Sequence, residues 1–163
     1  MPKAFKQGLL LAGLVILLDQ LSKFWLMGWF GVTGPDDRAP AVAITGFFNL
    51  VAVWNKGVSF SLFSNHDGRG AWILSLVALV ITGFMLVWLW RATGTLLMVG
   101  LAGVIGGAIG NVIDRVRFGA VFDFLFFYYQ NYSWPAFNVA DMGISVGVGL
   151  LLLDSFLDSR RKR

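Results

Sequence analysis

The stretch from Gly106 to Asp141, GGAIGNVIDRVRFGAVFDFLFFYYQNYSWPAFNVAD, decides how this chain folds. It starts in a glycine-rich apolar run, passes Asn111, Asp114 and Arg115, crosses a band of aromatics and re-enters an apolar run at Val139. Two apolar runs joined in this way return to the same membrane surface. Three of the nine carboxylates, Asp114, Asp123 and Asp141, lie in this stretch, inside a chain otherwise given over to hydrocarbon. Polar groups are costly to desolvate, so an ionisable residue in or against a membrane is a functional-site candidate by default.

Composition sets the frame around that stretch. The 163 residues are 57% hydrophobic and 13% charged, which marks an integral membrane protein expected to form a single domain over residues 1–163. The net charge of +4 comes from thirteen Lys and Arg against nine Asp, and several of the bases cap apolar runs, as in KAFK and RRKR. That placement suits lipid headgroups and excludes nucleic acid, which needs a basic face. No cysteine is present, so a thiol nucleophile and cysteine metal sites are ruled out. The single His66 sits in the polar turn Asn65-His66-Asp67-Gly68 and reads as a solvated loop residue, and no metal or cofactor is expected.

On either side of the central stretch the apolar runs predict four transmembrane helices over about residues 8–27, 71–90, 95–113 and 139–157. The first resembles a signal sequence, but it continues through Asp19, Gln20 and Lys23 without a small-x-small cleavage pattern, so it is expected to be retained. Asp19 and Lys23 are four apart with the acid first, the favourable order for a pair on one helix face, and read as a structural ion pair. Trp72, Trp88 and Trp90 mark the interfaces of the second span. In the third, Gly103/Gly107 and Gly106/Gly110 form overlapping GxxxG pairs that admit a close helix backbone.

Residues 28–70 are different, broken by Gly31, Gly34, Pro35, Pro40 and Gly46 and then rich in β-formers, so they predict a small extramembrane sheet. Asn55-Lys56-Gly57 between Val51–Trp54 and Val58–Phe63 reads as a hairpin turn. Residues 114–137, dominated by Phe, Tyr and Trp, read as an interfacial segment rather than a further span. Basic residues gather at the N-terminus, Arg91 and the C-terminus, which an even number of spans puts on one side, the cytoplasmic one. The sheet, the aromatic segment and the acids then share the periplasmic face.

Asn111, Asp114 and Arg115 fall at i, i+3 and i+4 and share one helical face, and Asn138 lies one turn before Asp141 on another. If Asp123 and Asp141 meet where water is scarce, repulsion and desolvation leave one protonated and one charged, the working state of an aspartyl hydrolase. Spacing alone leaves a second reading open, in which the acids pair with Arg115 and Arg117 to fix helix ends. For Asp114, next to Arg115, that structural reading is preferred.

The series Asp19-Gln20-x-x-Lys23, Asn55-x-Gly57-x-Ser59-Phe60-Ser61, Gly107-x-x-Gly110-Asn111-x-x-Asp114-Arg115, Val121-x-Asp123-Phe124 and Phe137-Asn138-Val139-Ala140-Asp141 resembles the bacterial lipoprotein signal peptidases (signal peptidase II), in order and over nearly the whole chain. The resemblance implies a catalytic pair at Asp123 and Asp141. It also implies functional roles for Asn55, Asn111 and Arg115, in holding substrate carbonyls or orienting an acid, beside a purely structural use. The implied substrate is a prolipoprotein cut just before a diacylglyceryl-modified cysteine, by a monomer in contact with membrane lipids in the bacterial inner membrane. Val58 stands where the family commonly has Ala, and Met142 where Ser is common; neither change removes an acid of the pair. Two rival readings remain: a Ser-Lys peptidase using Ser59 or Ser61 with Lys56, and a proton-coupled carrier relaying through Asp19, Asp114, Asp123 and Asp141. A carrier calls for inverted repeats and a site at the membrane midplane, neither of which the sequence suggests.

Overall fold

The computed structural model describes residues 1–57 and 69–161. Among them are four long helices, α1 (Lys3–Phe30), α2 (Arg69–Trp90), α3 (Thr95–Phe118) and α4 (Val139–Arg161), each long and apolar enough to cross a membrane. The four strands are β1 (Val42–Ala43), β2 (Phe48–Asn55), β3 (Val121–Tyr129) and β4 (Tyr132–Ser133), in one antiparallel sheet of order β1-β2-β3-β4. This is the expected membrane architecture of four spans with a small sheet at one end.

α3 is the central helix, packed against α4, α1 and α2. Large apolar side chains on the other three, such as Leu10, Phe24, Trp72, Phe84 and Leu152, point outward, as a lipid-facing surface requires. The glycines of α3 are used inside the protein. A Cβ at Gly103 would lie 2.8 Å from the carbonyl oxygen of Gly143 on α4, and one at Gly106 would lie 2.7 Å from that of Ala12 on α1. One at Gly107 would collide with the Ala140 carbonyl. Backbone-to-backbone contact replaces side-chain packing along this seam, where hydrocarbon solvent gives helices no hydrophobic reason to associate. Gly107→Leu is therefore expected to push α4 off α3, lowering stability by about 1–3 kcal/mol as overpacking does. A fall in the thermal midpoint in detergent, together with lost activity, checks it.

The structure differs from the sequence-based expectation in two places, and a third expectation falls outside the described residues. The aromatic segment is not separate from the sheet: Val121–Tyr129 is its longest strand, paired with β2 from Phe48↔Phe127 to Asn55↔Val121. Its run of aromatics suits a pleated surface, and β2 supplies the partner that reading one segment at a time does not reveal. Helix α3 runs to Phe118, a turn past the expected end, so Asp114 and Arg115 lie within it. The expected hairpin after Asn55 has its second arm, Val58–Phe63, outside the described residues, as are Ser59, Ser61 and His66; among the described residues β2 pairs with β1 and β3.

Gly119, at φ 71°, closes α3 with a left-handed turn and donates its N–H to the Arg115 carbonyl at 2.9 Å. Only glycine adopts that turn without cost. The chain then folds straight back into β3, over the outer end of α3.

Candidate active site

Three local devices bring the polar residues together. The first is the start of α4. Asn138 Oδ1 accepts the Asp141 N–H at 3.0 Å, and Asp141 Oδ2 accepts the Asn138 N–H at 3.3 Å. This is a reciprocal capping box, satisfying donors that a helix N-terminus leaves free. The second is a pairing of Phe137 with Leu125 of β3, which sets Asn138 beside Asp123. The third is one extra residue in β2 between Leu50 and Val53, a bulge of the kind that re-aims side chains near sites. Beyond it, Asn55 Nδ2 donates to Asp123 Oδ2 at 3.3 Å.

Asn138 links the two acids. It is fully buried, and its amide NH2 donates to Asp123 Oδ1 at 2.7 Å while its oxygen caps the Asp141 backbone. Asn111, on the inner face of α3, donates from Nδ2 to Asp141 Oδ1 at 2.8 Å and accepts from Asn138 Nδ2 at 3.2 Å. Arg115 follows one turn later, within reach of the charges on Asp141, Asp123 and Asp114, and its Nη1 donates to the Asn111 carbonyl at 3.5 Å. All seven candidate residues, Asn55, Asn111, Asp114, Arg115, Asp123, Asn138 and Asp141, therefore gather where α3, β3 and the start of α4 meet.

Asp114 does not pair with Arg115. Its Oδ2 lies 2.9 Å from Lys23 Nζ and accepts the Phe122 N–H at 3.1 Å, and its Oδ1 accepts from Gln20 at 3.0 Å. The side chain points back toward α1, and its Oδ2 also holds the returning strand at the Phe122 N–H. The Asp19–Lys23 pair is present at 2.8 Å, but it belongs to a larger cluster. Asp19, Lys23 and Asp114 are 0%, 3% and 1% exposed, and Asp19 Oδ1 accepts the Ala140 N–H at 2.8 Å, one residue before Asp141. Sequence reading confined Asp19 and Lys23 to a local pair and left Gln20 without a role. The available signal was the cost of two charges inside an apolar helix, which calls for partners beyond one another.

Burial, and next the charge of Asp141, push the Asp123 carboxyl up from 3.8 to about 7. Between those values the folded chain holds a proton at Asp123 that the unfolded chain has released. Stability from this group is thus fully present below about pH 4 and declines as pH rises toward 7. Thermal midpoints measured across that window are expected to fall with pH, less steeply in Asp123→Asn; equal slopes would contradict the assignment.

Beside Asp141 lies a largely apolar cleft of about 470 Å³, lined by Trp134, Pro135, Phe137, Met142 and Val146. No group of three or more His, Cys, Asp or Glu side chains suited to a metal ion converges among the described residues.

By fold this is a multi-pass α-helical membrane protein with a sheet over one end of its bundle. It is similar to a solved bacterial membrane enzyme at TM-score 0.78 and 23% identity, covering 97% of this chain and 92% of that one. The chain belongs to the signal peptidase II family, whose model matches residues 11–157. It is 43% identical over 149 residues to a lipoprotein signal peptidase of Beijerinckia indica, covering 91% of this chain and 87% of that protein. It is also 43% identical over 162 residues to one of Methylorubrum extorquens, covering 97% and 90%.

Proposed function

We propose that this protein is an aspartyl endopeptidase that removes signal peptides from prolipoproteins, cutting just before a diacylglyceryl-modified cysteine, with Asp123 and Asp141 as its catalytic pair. The observation that carries the reading is the coupling of these two acids through Asn138 at one end of a four-helix membrane bundle of the signal peptidase II family. Asp141, as the ionised acid, takes a proton from water while the water oxygen attacks the scissile carbonyl carbon. Asp123 gives its proton to the carbonyl oxygen. In the tetrahedral intermediate Asp141 passes the proton it took from water to the amide nitrogen. The C–N bond breaks as a hydroxyl of the intermediate returns its proton to Asp123, and a carboxyl and a free amine leave with the acid pair restored. Low dielectric strengthens each of these interactions, since little water competes.

The cleft beside Asp141 is largely apolar and suits an apolar substrate segment. Met142 lines it, so the departure from the commoner Ser falls where substrate fit is decided. The glycine faces of α3 are occupied by α4 and α1, which supports internal packing over substrate binding as their use. We place the site at the periplasmic face of the inner membrane of a monomer. The basic ends support that orientation, Lys3 and Lys6 starting α1, Arg91 joining α2 to α3 and Arg160 closing α4. The carrier reading loses ground because the acids are committed to fixed partners, Asp123 and Asp141 to Asn138 and Asp19 and Asp114 to Lys23. Of the Ser-Lys reading, both serines fall outside the described residues.

The test is cleavage of a synthetic prolipoprotein segment, with and without the diacylglyceryl group, by the purified protein in lipid nanodiscs. The expected result is a product whose new N-terminus is the lipidated cysteine, formed much faster than from the unlipidated peptide. Equal rates would remove the lipid requirement, and no cleavage of either would sink the reading.

A further inference from the structure

We infer that Lys23 on α1 is a positioning residue of the active site: its ammonium fixes the Asn111 amide so that the NH2 faces Asp141, making Asp141 the ionised acid and Asp123 the protonated one. The inference rests on the acid-pair reading above and deepens it by assigning the proton.

An ammonium only donates, and that of Lys23 has three N–H groups. Its three acceptors are Asp19 Oδ2 at 2.8 Å, Asp114 Oδ2 at 2.9 Å and Asn111 Oδ1 at 3.3 Å. Asn138 Nδ2 donates to the same Asn111 oxygen at 3.2 Å. Two donors, one on α1 and one just before α4, therefore hold the oxygen end of this amide, and its NH2 end donates to Asp141 Oδ1 at 2.8 Å. Flipping the amide would set its NH2 against an ammonium and its oxygen against a carboxylate, losing both contacts at once. The orientation of Asn111 is thus dictated by a charge on another helix.

The consequence falls unequally on the two acids. Asp141 receives N–H donors on both oxygens, from Asn111 and from the Asn138 backbone, and sits at the positive end of α4. Asp123 is more deeply buried, between Phe122 and Phe124 on its strand, and feels the negative charge of Asp141. The charged groups surrounding the pair are Arg115 and Asp114 on α3, and Lys23 and Asp19 on α1. Burial pushes Asp123 up to about 7, in keeping with its holding the proton near neutrality. Lys23 also acts on Asp123 directly through space, where its positive charge lowers the carboxyl and so works against the protonated form. This route is weaker than burial and the charge of Asp141, does not need Asn111, and is what the experiment must separate.

The experiment is a double-mutant cycle read as pH profiles of kcat/KM, using the full chain in nanodiscs and a diacylglyceryl-modified prolipopeptide. Lys23→Met and Asn111→Leu are each expected to move the acidic limb to higher pH. Each should also lower kcat/KM on that limb about tenfold or more with KM unchanged, as for loss of a hydrogen bond to a charged group. The double variant is expected to show no further movement of that limb beyond Asn111→Leu. Additive movement overturns the inference, because Lys23 then acts without Asn111; an unmoved limb in either single variant overturns it as well. Lys23→Met strands two buried acids, so if it fails to fold, Lys23→Met with Asp19→Asn and Asp114→Asn takes its place in the cycle. Asn111→Leu leaves the ion cluster paired. Activity surviving in Asp123→Asn or Asp141→Asn would bring down the acid pair itself; inactive Asn variants with an unmoved acidic limb would bring down only the role of Lys23.

Discussion

Asp123→Asn and Asp141→Asn are each expected to lower kcat by about 10⁴-fold, the upper end of what general acid–base catalysis contributes. The two losses have different origins. Asn at 141 cannot take a proton from water, though its amide oxygen can still accept the Asn138 N–H that closes the helix cap. Asn at 123 cannot supply a proton, but it mimics the neutral acid that burial favours there, so the fold should be as stable as the parent or slightly more so. Because the acids act as a unit, the double substitution is expected to cost little more than either single one. Single-turnover cleavage assays alongside thermal unfolding would check this. Substantial activity in either single variant, with the thermal midpoint unchanged, would show that the chemistry lies elsewhere.

Asp19→Ala is expected to destabilise the protein by about 3–5 kcal/mol, the range for breaking a buried ion pair from one side. The change removes the carboxylate 2.8 Å from Lys23 and the acceptor for the Ala140 N–H at 2.8 Å, next to the catalytic turn. It also opens a space against Gly110, whose missing side chain makes room for the Asp19 carboxylate. For a chain of this length the thermal midpoint should fall by about 10 °C. Asp19→Asn keeps an oxygen for Ala140 and should fall less. A midpoint unmoved in Asp19→Ala would mean that the cluster is not holding α1 to α3 and α4.

Much of the architecture could be read from the chain. The spans follow from uninterrupted apolar runs, because in lipid only a helix satisfies its own backbone donors and acceptors over that length. The acids stood out for the same reason, as groups that hydrocarbon penalises. The capping box was also present in Asn138-Val139-Ala140-Asp141, a local pattern spaced to close on itself. Less legible was the strand character of Val121–Tyr129, since an aromatic run suits an interface as well as a sheet. Its partner β2 lies about 70 residues earlier in the chain, with Asn55 opposite Val121.

Beyond the Asp19–Lys23 pair and the capping box, the partners of the polar residues were not legible. Nearest-neighbour logic paired Asp114 with Arg115, whereas its ion-pair partner is Lys23, on another helix. Glycines cut away the side chains between α1, α3 and α4, and charges from three helices can then reach one another where they could not in sequence. The stretch from Gly106 to Asp141 determines by itself that two membrane helices meet at one surface with acids between them, because burial cost and helix periodicity are local properties. Which acid faces which donor was decided only by tertiary structure. A buried charge takes whatever partner packing brings within about 3 Å, and packing joins residues from opposite ends of the chain.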